Sequence, residues 1–541
     1  MSNYYNMPAL PTEKSPKVPI TVDDREVMVP GDTNLLEALQ TVGIETPHIC
    51  YHPYLPVSGN CRQCMVEVDN PRGMGLAIAC YTPVRPGMKV ATPVTSPRVK
   101  NARKAVSEFM LVNHPLDCPI CDKAGECSLQ ENYITSGQNE SRLSGAAGKQ
   151  YHGTPENEFK DTKGQVRGGK RLNIGPRVIL DEERCVQCDR CVRFMRHVAH
   201  DEQLQLVSRG DHTTIATFPG EKLDHPYDLC VTDVCPVGAL TGKHFRFEQR
   251  VWMLSRTPSI SMDDSLGANI WIDHNNGFVW RLMPRCNPEV NRSWLSNDSR
   301  LAYLQFRENR LLNTDKGISE SASAVSKMLS SSAGKIAAVL GGSCTLEDAF
   351  AVKELQNAFP NRVEVFVGSL DTAGTPDGIA KSGDPVANRK GFALLGFEIS
   401  AEELCKRAGE FETLVTVHAD LWGANASLAA ALSAIPNRIA LSAFENATTQ
   451  ASTVRLGVNH WSEVSGTMVN CNGFLQKLNA APVSPSENLM PAFRVLGILS
   501  GKPVSSASEA FLKLREQVPV FAEFTHESVR SAGVKLNGVS V

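Results

Sequence analysis

The stretch CVQCDRCVRF occupies residues 185–194 and is followed by CPVGALTGK at residues 235–243. Three cysteines at two-residue intervals, with a distant fourth cysteine that precedes a proline, form the ferredoxin-type pattern for a [4Fe–4S] cluster. The candidate ligands are Cys185, Cys188, Cys191 and Cys235. Cys230 is the alternative to Cys235. Because a proline follows Cys235 directly, the pattern favours Cys235, and Cys230 is expected to be a packed thiol.

Another cysteine group begins upstream in PHICYHPYLPVSGNCRQC, residues 47–64. It has the spacing C-x10-C-x2-C-x15-C, and its members are Cys50, Cys61, Cys64 and Cys80. Four thiolates can hold a [2Fe–2S] cluster, and Gly59 would let the backbone approach the inorganic sulfur closely. A structural zinc site or plain buried cysteines are the alternatives. Zinc sites prefer two ligand pairs that are each close in sequence, whereas this group has one such pair, so the iron–sulfur interpretation is favoured.

A further group lies between these two in HPLDCPICDKAGEC, residues 114–127. Its candidate ligands are His114, Cys118, Cys121 and Cys127. Three thiolates and one imidazole fit a [4Fe–4S] cluster, but the same donors form a common structural zinc set, and this segment alone leaves both open. In a cluster, the neutral imidazole would remove one negative charge and so favour the reduced state.

Three arginines flank the ferredoxin-type group: Arg184, Arg190 and Arg193. Such residues usually form a solvated face. The alternative is that their charge tunes the potential of a cluster, and the sequence leaves both interpretations open.

The composition excludes several classes of protein. The chain has 541 residues, of which 42 % are hydrophobic and 21 % charged, and its net charge is −3. These values fit several soluble domains and give no electrostatic case for a nucleic-acid partner. There is no apolar run near 18 residues, so any membrane role would come through partner subunits. Thirteen of the sixteen cysteines lie between Cys50 and Cys286, as expected of metal ligands in a reducing compartment. The N-terminus has neither an apolar core nor an arginine, which favours a cytosolic chain.

Patterning divides the chain into five segments. Residues 18–29 predict a hairpin that turns at Asp23-Asp24. A helix capped at 32–34 follows, and a further helix begins with its cap at Ser96-Pro97. The stretch 251–313 is β-rich, and α/β alternation follows, with strands at 335–342, 362–368 and 414–421 and a helix at 345–359. The expected segments are a [2Fe–2S] domain at 18–95, a His/Cys segment at 96–136, a surface linker at 137–175, a [4Fe–4S] domain at 176–250 and an α/β domain at 251–541.

Together, the three groups resemble the large iron–sulfur subunit of NADH:quinone oxidoreductase, respiratory complex I (the 75-kDa subunit). The resemblance runs from about residue 18 to 310 and rests on the motifs quoted above. It implies a [2Fe–2S] cluster on the first cysteine group of the chain and a [4Fe–4S] cluster on each of the other two. It also implies an α+β multidomain fold, with an N-terminal β-grasp ferredoxin-like domain and a ferredoxin-type [4Fe–4S] domain.

Residues 254–541 resemble, more weakly, a shortened molybdopterin-oxidoreductase domain, through SWLSNDSRLAYLQFRENRL and EVSGTMVNCNG. The expectation is an α/β domain without molybdenum that has a structural or docking role. Some members of the family carry a further [4Fe–4S] site after CPVGAL. Here Cys286 is the single cysteine in that region, so no extra cluster is expected.

The resemblance implies an electron-transfer subunit with no catalytic acid or base and no NAD site of its own. Electrons from NADH would enter through a flavin on a partner, cross the clusters and leave toward quinone. The implied partners are the flavin subunit, a small [2Fe–2S] subunit, a connecting subunit with two [4Fe–4S] clusters and other peripheral-arm subunits. The implied location is the cytoplasmic face of the inner membrane, within that arm.

Two other functions are alternatives to that of an electron-transfer subunit of NADH:quinone oxidoreductase. Soluble NAD-linked hydrogenases and formate dehydrogenases use related modules. However, hydrogenase modules typically stop near the last cysteine group, whereas this chain continues for about 300 residues, and formate dehydrogenases keep a full molybdenum domain. A zinc-stabilised scaffold without redox work belongs to another class, and it would be colourless where an iron–sulfur protein is brown.

Overall fold

The computed structural model describes residues 10–112, 114–115, 117–137, 169–210, 213–313, 317–368, 370, 374–529 and 532–538. It divides the chain into two compact units, Met1–Trp252 and Met253–Val541. Most of the predicted 137–175 linker, residues 138–168, lies outside the described residues. None of the described helices is long and apolar enough to cross a membrane.

The described elements of the first unit are ten strands and five helices. The strands are β1 (Lys17–Val22), β2 (Arg25–Pro30), β3 (Met65–Asn70), β4 (Gly73–Ile78), β5 (Lys89–Ala91), β6 (Leu172–Asn173), β7 (Val178–Leu180), β8 (Gln205–Val207), β9 (Thr214–Ala216) and β10 (Leu240–Gly242). The helices are α1 (Leu35–Thr41), α2 (Pro97–Val112), α3 (Ser128–Ser136), α4 (Arg190–His197) and α5 (Cys230–Val234).

The N-terminal sheet has the strand order β2-β1-β5-β3-β4, with β1 and β5 parallel and the other pairs antiparallel. The predicted hairpin and helix are confirmed. The turn lies at Asp23 and Asp24, which both have positive φ, and the Asn34 side chain caps α1 by accepting a hydrogen bond from the Glu37 N–H at 3.0 Å. The helix packs on the sheet around a core of Val22, Val29, Leu35, Leu39, Val66, Cys64 and Cys80. This is a β-grasp arrangement with two candidate ligands in its core.

The rest of the first unit is built from short elements. Helix α2 begins at Pro97 as predicted, where the Ser96 hydroxyl accepts from the Val99 N–H at 3.1 Å. Strands β10, β7 and β6 form a small antiparallel sheet, and α4 packs against α5. Since Cys191 lies in the first turn of α4 and Cys235 directly follows α5, that packing brings together ligands that are distant in sequence.

The second unit has eleven strands and ten helices among its described residues. The strands are β11 (Ser255–Ile260), β12 (Asn269–Asn275), β13 (Phe278–Pro284), β14 (Ile336–Leu340), β15 (Val363–Val367), β16 (Thr413–Val417), β17 (Asn437–Ser442), β18 (Val454–Gly457), β19 (Gly466–Val469), β20 (Phe474–Leu478) and β21 (Val534–Lys535). The helices are α6 (Asn297–Leu301), α7 (Ile318–Ser331), α8 (Leu346–Ala358), α9 (Arg389–Leu394), α10 (Ala401–Lys406), α11 (Leu421–Ala424), α12 (Ala426–Ala429), α13 (Ala447–Ala451), α14 (Ala492–Leu499) and α15 (Ala507–Gln517).

A parallel five-stranded sheet of order β15-β14-β16-β17-β18 forms the centre of this unit. Every residue of β14 is buried because Ile336, Ala338 and Leu340 enter one core while Ala337 and Val339 enter another. The three predicted strands, the predicted helix and the β-rich stretch after residue 251 are confirmed. Strands β17 and β18 and helices α14 and α15 were not predicted, since their apolar runs are short and lack a clear period.

His526 gives this unit an expected acid sensitivity. Burial lowers the pKa of its imidazole to about 4, with Lys477 acting in the same direction and Glu527 opposing, and its Nε2 atom has no hydrogen-bond partner. Below pH 6.5 the unfolded chain therefore binds a proton that the folded chain does not. The free energy of unfolding should fall between pH 6.5 and 4, by at most about 1.4 kcal/mol per pH unit from this group.

The measurement is urea unfolding of the full chain at several pH values. His526→Asn should flatten this part of the profile. His200→Asn, at an exposed position, is the matched control and should leave the profile unchanged. An equal slope in the wild type and in His526→Asn would contradict the assignment.

Candidate iron–sulfur sites

Numbered in chain order, the first ligand group is Cys50, Cys61, Cys64 and Cys80, and these four cysteines lie close together in the β-grasp domain. The side chains of Cys50 and Cys61 lie within hydrogen-bonding reach of each other, and so do those of Cys64 and Cys80. Electrostatic interactions connect the two pairs. The loop that carries Cys61 turns at Gly59, whose φ is +68° and where a Cβ would lie 2.9 Å from the Ile78 side chain. A glycine is therefore needed there for backbone conformation and for packing.

The protonation of these thiols follows from their pairing. The hydrogen bond from Cys50 lowers the pKa of Cys61, while the same bond and burial raise the pKa of Cys50 far above its ordinary range. In the other pair, the hydrogen bond from Cys80 lowers the pKa of Cys64, and the pKa of Cys80 is raised. Two close pairs of thiols fit a [2Fe–2S] cluster, in which each iron takes two protein ligands besides its bridging sulfides.

The second group follows α2. Cys118 and Cys121 form a 3₁₀ turn closed by the Cys121 N–H to Cys118 C=O hydrogen bond at 3.1 Å, and Cys127 lies at the start of α3. The three thiols interact electrostatically, and burial raises the pKa of Cys121 and Cys127. Cys121 and Cys127 are buried, whereas Cys118 is exposed.

His114 is half-buried just after the end of α2, and its Nδ1 atom is buried with no hydrogen-bond partner. Burial lowers the pKa of its imidazole to about 4, with Asp117 opposing the shift and Arg184 adding to it. The ring is therefore neutral at pH 7, which is the state that binds a metal. A buried nitrogen without a hydrogen-bond partner on a neutral ring, four residues before Cys118 in the chain, has the chemistry of the predicted imidazole ligand.

The third group is Cys185, Cys188, Cys191 and Cys235, and all of these except the half-buried Cys185 are buried. Gln187 and Asp189 adopt φ values of 52° and 57°, and these left-handed residues curl the loop between the three closely spaced cysteines. All four thiols interact electrostatically. Burial raises the pKa of Cys185 and Cys188 to about 12 and that of Cys191 well above its ordinary value. Metal coordination would deprotonate such thiols outright, so the donor set and its enclosure fit a [4Fe–4S] cluster.

The second and third groups are in direct contact. A Cβ added at Gly238 would lie 2.3 Å from the Cys121 sulfur, so the backbone after Cys235 packs against a thiol of the other group. The Ser128 N–H donates to the Pro236 carbonyl at 2.9 Å. The Arg184 guanidinium donates through two nitrogens to the Asp117 carboxylate, at 2.6 and 3.2 Å. These contacts fix the two ligand loops relative to each other.

The first and third groups are joined through α4. Arg193 donates to the Cys50 and Pro56 carbonyls of the first group and to the Cys188 carbonyl at 3.2 Å. Its charge is paired with Asp189 at 2.7 Å, and the other oxygen of that carboxylate accepts from the Ser58 hydroxyl at 2.9 Å. The three groups therefore form one connected structure.

The structure corrects one interpretation of the flanking arginines. A solvated face would leave Arg184, Arg190 and Arg193 exposed, but their exposed fractions are 4 %, 8 % and 2 %. They are buried because each guanidinium satisfies carbonyl or carboxylate oxygens of the ligand loops. Cys230 is fully buried in α5, as expected of a packed thiol.

Sequence reasoning missed some supporting residues. Gly238 and Asp189 lie inside the quoted motifs, but the motifs do not reveal their roles, since those roles depend on a partner more than 60 residues away in the chain or on a buried arginine. Asp189 had a weak signal, a carboxylate four residues before Arg193. In the described part of the chain, no three His, Cys, Asp or Glu side chains converge closely enough to hold a single metal ion.

Four family models match the chain. They are a 2Fe-2S iron-sulfur cluster binding domain at residues 15–94, the NADH-ubiquinone oxidoreductase-G iron-sulfur binding region at 103–142, the ferredoxin-like domain of NADH-quinone oxidoreductase subunit 3 at 175–241, and the 4Fe-4S domain of the NDSU1/NuoG-like proteins at 254–304. The first three contain the three ligand groups.

Curated relatives agree with the models. The 78 kDa subunit of the mitochondrial NADH-ubiquinone oxidoreductase of Neurospora crassa is 35 % identical over 359 residues, which are 64 % of this chain and 45 % of that protein. The 75 kDa subunit of Reclinomonas americana is 40 % identical over 55 % of this chain and 40 % of its own length. Iron-sulfur protein 1 of the mitochondrial NADH dehydrogenase (ubiquinone) of Solanum tuberosum is 38 % identical, over 54 % and 37 %.

The iron–sulfur region of this chain is homologous to the large subunit of NADH–quinone oxidoreductase. The chain covers less than half the length of these three relatives. A solved chain of an NAD+-reducing [NiFe]-hydrogenase in the H2-reduced state is 26 % identical and covers 43 % of this chain and 91 % of that chain. The TM-score of that match is 0.35.

Within this homologous region, the segment matched by the 4Fe-4S model at 254–304 contains a single cysteine, Cys286, which is exposed. In the structure this segment forms the antiparallel sheet β11-β12-β13. Buried polar contacts lie in that sheet: both Arg256 and Arg281 pair with the Asp273 carboxylate, at 2.7 and 2.8 Å.

Proposed function

We propose that this chain is an electron-transfer subunit of NADH:quinone oxidoreductase. It would carry a [2Fe–2S] cluster on Cys50, Cys61, Cys64 and Cys80, a [4Fe–4S] cluster on His114, Cys118, Cys121 and Cys127, and a second [4Fe–4S] cluster on Cys185, Cys188, Cys191 and Cys235. One observation carries the proposal. The three groups of donors lie in one compact unit, and direct contacts between their loops link each to the next.

Iron–sulfur clusters supply one-electron transfer when bound. The residues of the chain supply position and environment. Arg193 and Arg184 hold the ligand loops together, and the burial of most ligand thiols excludes water from the sites. We assign no catalytic acid or base and no NAD site to this chain.

The proposed partners follow from the direction of electron flow. A flavin-bearing, NADH-oxidising subunit would deliver electrons, helped by a small [2Fe–2S] subunit, and a connecting subunit with two [4Fe–4S] clusters would carry them toward quinone. The chain would then lie in the peripheral arm, at the cytoplasmic face of the inner membrane, and touch the membrane through its partners.

For the second unit we propose a shortened molybdopterin-oxidoreductase-like domain with a structural or docking role, without molybdenum and without a further cluster. Its parallel sheet, with helices packed into cores on both faces, supports an α/β assignment. The single cysteine between residues 254 and 304 is too few for the ligands of a [4Fe–4S] cluster.

The proposal is tested by purifying the native complex under anaerobic conditions, identifying its subunits and measuring iron, zinc and acid-labile sulfide. A membrane complex with flavin and quinone-reducing subunits, and about ten iron atoms on this chain, is the expected result. Co-purification with a hydrogenase or formate dehydrogenase subunit would leave the ligand assignments intact but would contradict quinone as the final electron acceptor. A colourless protein with zinc would overturn the function.

His114→Cys is expected to keep the [4Fe–4S] cluster of the second group but to lower its midpoint potential. A thiolate in place of the neutral imidazole adds one negative charge beside the iron, which disfavours a further electron. The measurement is a redox titration of the complex followed by EPR. Iron content should equal that of the wild type, and an unchanged potential would show that His114 is not a ligand.

A further inference from the structure

Arg190 occupies an unusual position between two of the ligand groups. It is the first residue of α4 and is 8 % exposed. Its Nη2 atom donates to the Tyr51 carbonyl, next to Cys50, and its Nη1 atom approaches the Val234 carbonyl at 3.4 Å, next to Cys235. A single guanidinium therefore contacts the backbone of the [2Fe–2S] group and of the third group.

Its charge has no carboxylate partner among the described residues. Arg193, three residues along the same helix, is paired with Asp189, and Arg184 is paired with Asp117. Arg190 donates to carbonyl oxygens instead, and its Nε atom is buried without any hydrogen-bond partner. A buried cation without a counter-ion is strongly unfavourable, so the fold holds a positive charge that needs a negative charge nearby.

The ligand cysteines are the candidate source of that negative charge. Apart from burial, the groups that act most strongly on the Arg190 guanidinium are the Cys188 thiol, Arg193, and the Cys50 and Cys61 thiols. With clusters bound, each of these cysteines would be an anionic ligand on a site of net negative charge. Reduction adds one further negative charge to such a site, and a nearby fixed cation in a water-excluded environment favours that state.

We propose that Arg190 is the shared counter-charge of the [2Fe–2S] site at Cys50 and the [4Fe–4S] site at Cys188, and that its charge raises the reduction potential of both. This inference rests on the proposed function, because it needs both clusters. Arg190 thus has a different role from Arg193. Arg193 joins the two loops but has its charge neutralised by Asp189, whereas Arg190 contributes a net positive charge between them.

The test compares three variants of the full complex by EPR-monitored redox titration with dithionite as reductant. Arg190→Gln removes the charge and retains a side chain that can donate to a carbonyl. Arg190→Lys retains the positive charge but loses the planar guanidinium group that contacts two carbonyls. Arg196→Gln is the control, since Arg196 lies on the same helix, is exposed and pairs with Glu202 at 3.0 Å.

We expect Arg190→Gln to reduce the ratio of reduced to oxidised cluster at a given potential about tenfold at both sites, which is about 59 mV for a one-electron couple. Arg190→Lys should remain close to the wild type, and Arg196→Gln should not differ from it. The shift should be insensitive to ionic strength, since buried charges are screened little by salt. Unchanged potentials in Arg190→Gln, or equal shifts in the Gln and Lys variants, would overturn the inference.

Failure of assembly is also decisive. If Arg190→Gln contains no cluster while Arg190→Lys has wild-type iron and potentials, the charge is required and the inference stands. If neither variant assembles, the hydrogen-bonding fork is what matters and the counter-charge role is wrong. The proposed function is tested separately by the wild type, because a wild-type complex without iron–sulfur EPR signals would remove it before any variant is compared.

Discussion

Cys235→Ser is expected to remove one [4Fe–4S] cluster, about four iron atoms per chain, and to abolish electron transfer from NADH to quinone. Cys235 follows α5 directly, and its thiol interacts electrostatically with Cys185, Cys188 and Cys191. A serine hydroxyl is a poor substitute for a thiolate at iron. The cluster would lose one of four ligands at the point where two distant parts of the chain meet.

Cys230→Ala provides a matched control, since Cys230 is the first residue of α5 and Cys235 directly follows its last. Cys230 is fully buried, five residues before Cys235, so its replacement tests burial without ligation. We expect full iron content and unaltered electron transfer from this variant, with a small loss of stability. Iron analysis and EPR of both purified complexes are the measurements. If Cys230→Ala lost the iron and Cys235→Ser kept it, the ligand assignment would be reversed.

Gly238→Ala is expected to remove the cluster of the neighbouring group, the one at Cys121. The added methyl group would lie 2.3 Å from the Cys121 sulfur and 3.3 Å from the Lys123 Cβ, far inside van der Waals contact. Relief of that clash must move either the loop after Cys235 or the Cys121 turn. We expect about four iron atoms to be lost, and a destabilisation of roughly 1–3 kcal/mol from overpacking.

The control for this prediction is Gly409→Ala, because a Cβ at Gly409 would meet nothing within 4 Å. Its iron content and thermal stability should equal those of the wild type. EPR distinguishes which cluster is lost from Gly238→Ala, since a cluster with a histidine ligand differs in potential from one held by four thiolates. If Gly238→Ala had the iron content and the thermal stability of the wild type, the loop after Cys235 and the Cys121 turn would be able to move apart without loss of stability, and the prediction would be wrong.

Local signals predicted the secondary structure around the sites well. The hairpin turn at Asp23 and Asp24, the caps at Asn34 and Ser96, and the strand at Ile336–Leu340 were all predicted, because each depends on residues adjacent in sequence. The order of strands in either large sheet was not predicted. It depends on which apolar surfaces pack together, and those residues are far apart in the chain.

The ligand groups illustrate the same division. Cysteine spacing is a property of the chain itself, since a loop of two residues between thiols fixes how closely they can surround a cluster. The sequence by itself therefore determined the three sets of candidate ligands and their homology to an iron–sulfur subunit. Burial is different, because it depends on what the rest of the chain places around a residue.

Only the tertiary structure decided the role of the arginines and of Gly238. In the sequence, Arg190 and Arg193 are two similar cations three residues apart. In the fold, one is neutralised by Asp189 and the other has no carboxylate partner among the described residues. The sequence does not show which glycines are closely packed, whereas in the structure Cys121 lies directly against Gly238. The unpaired charge of Arg190 within the described residues and the close packing at Gly238 both arise from contacts between residues distant in sequence, and the local sequence pattern does not predict such contacts.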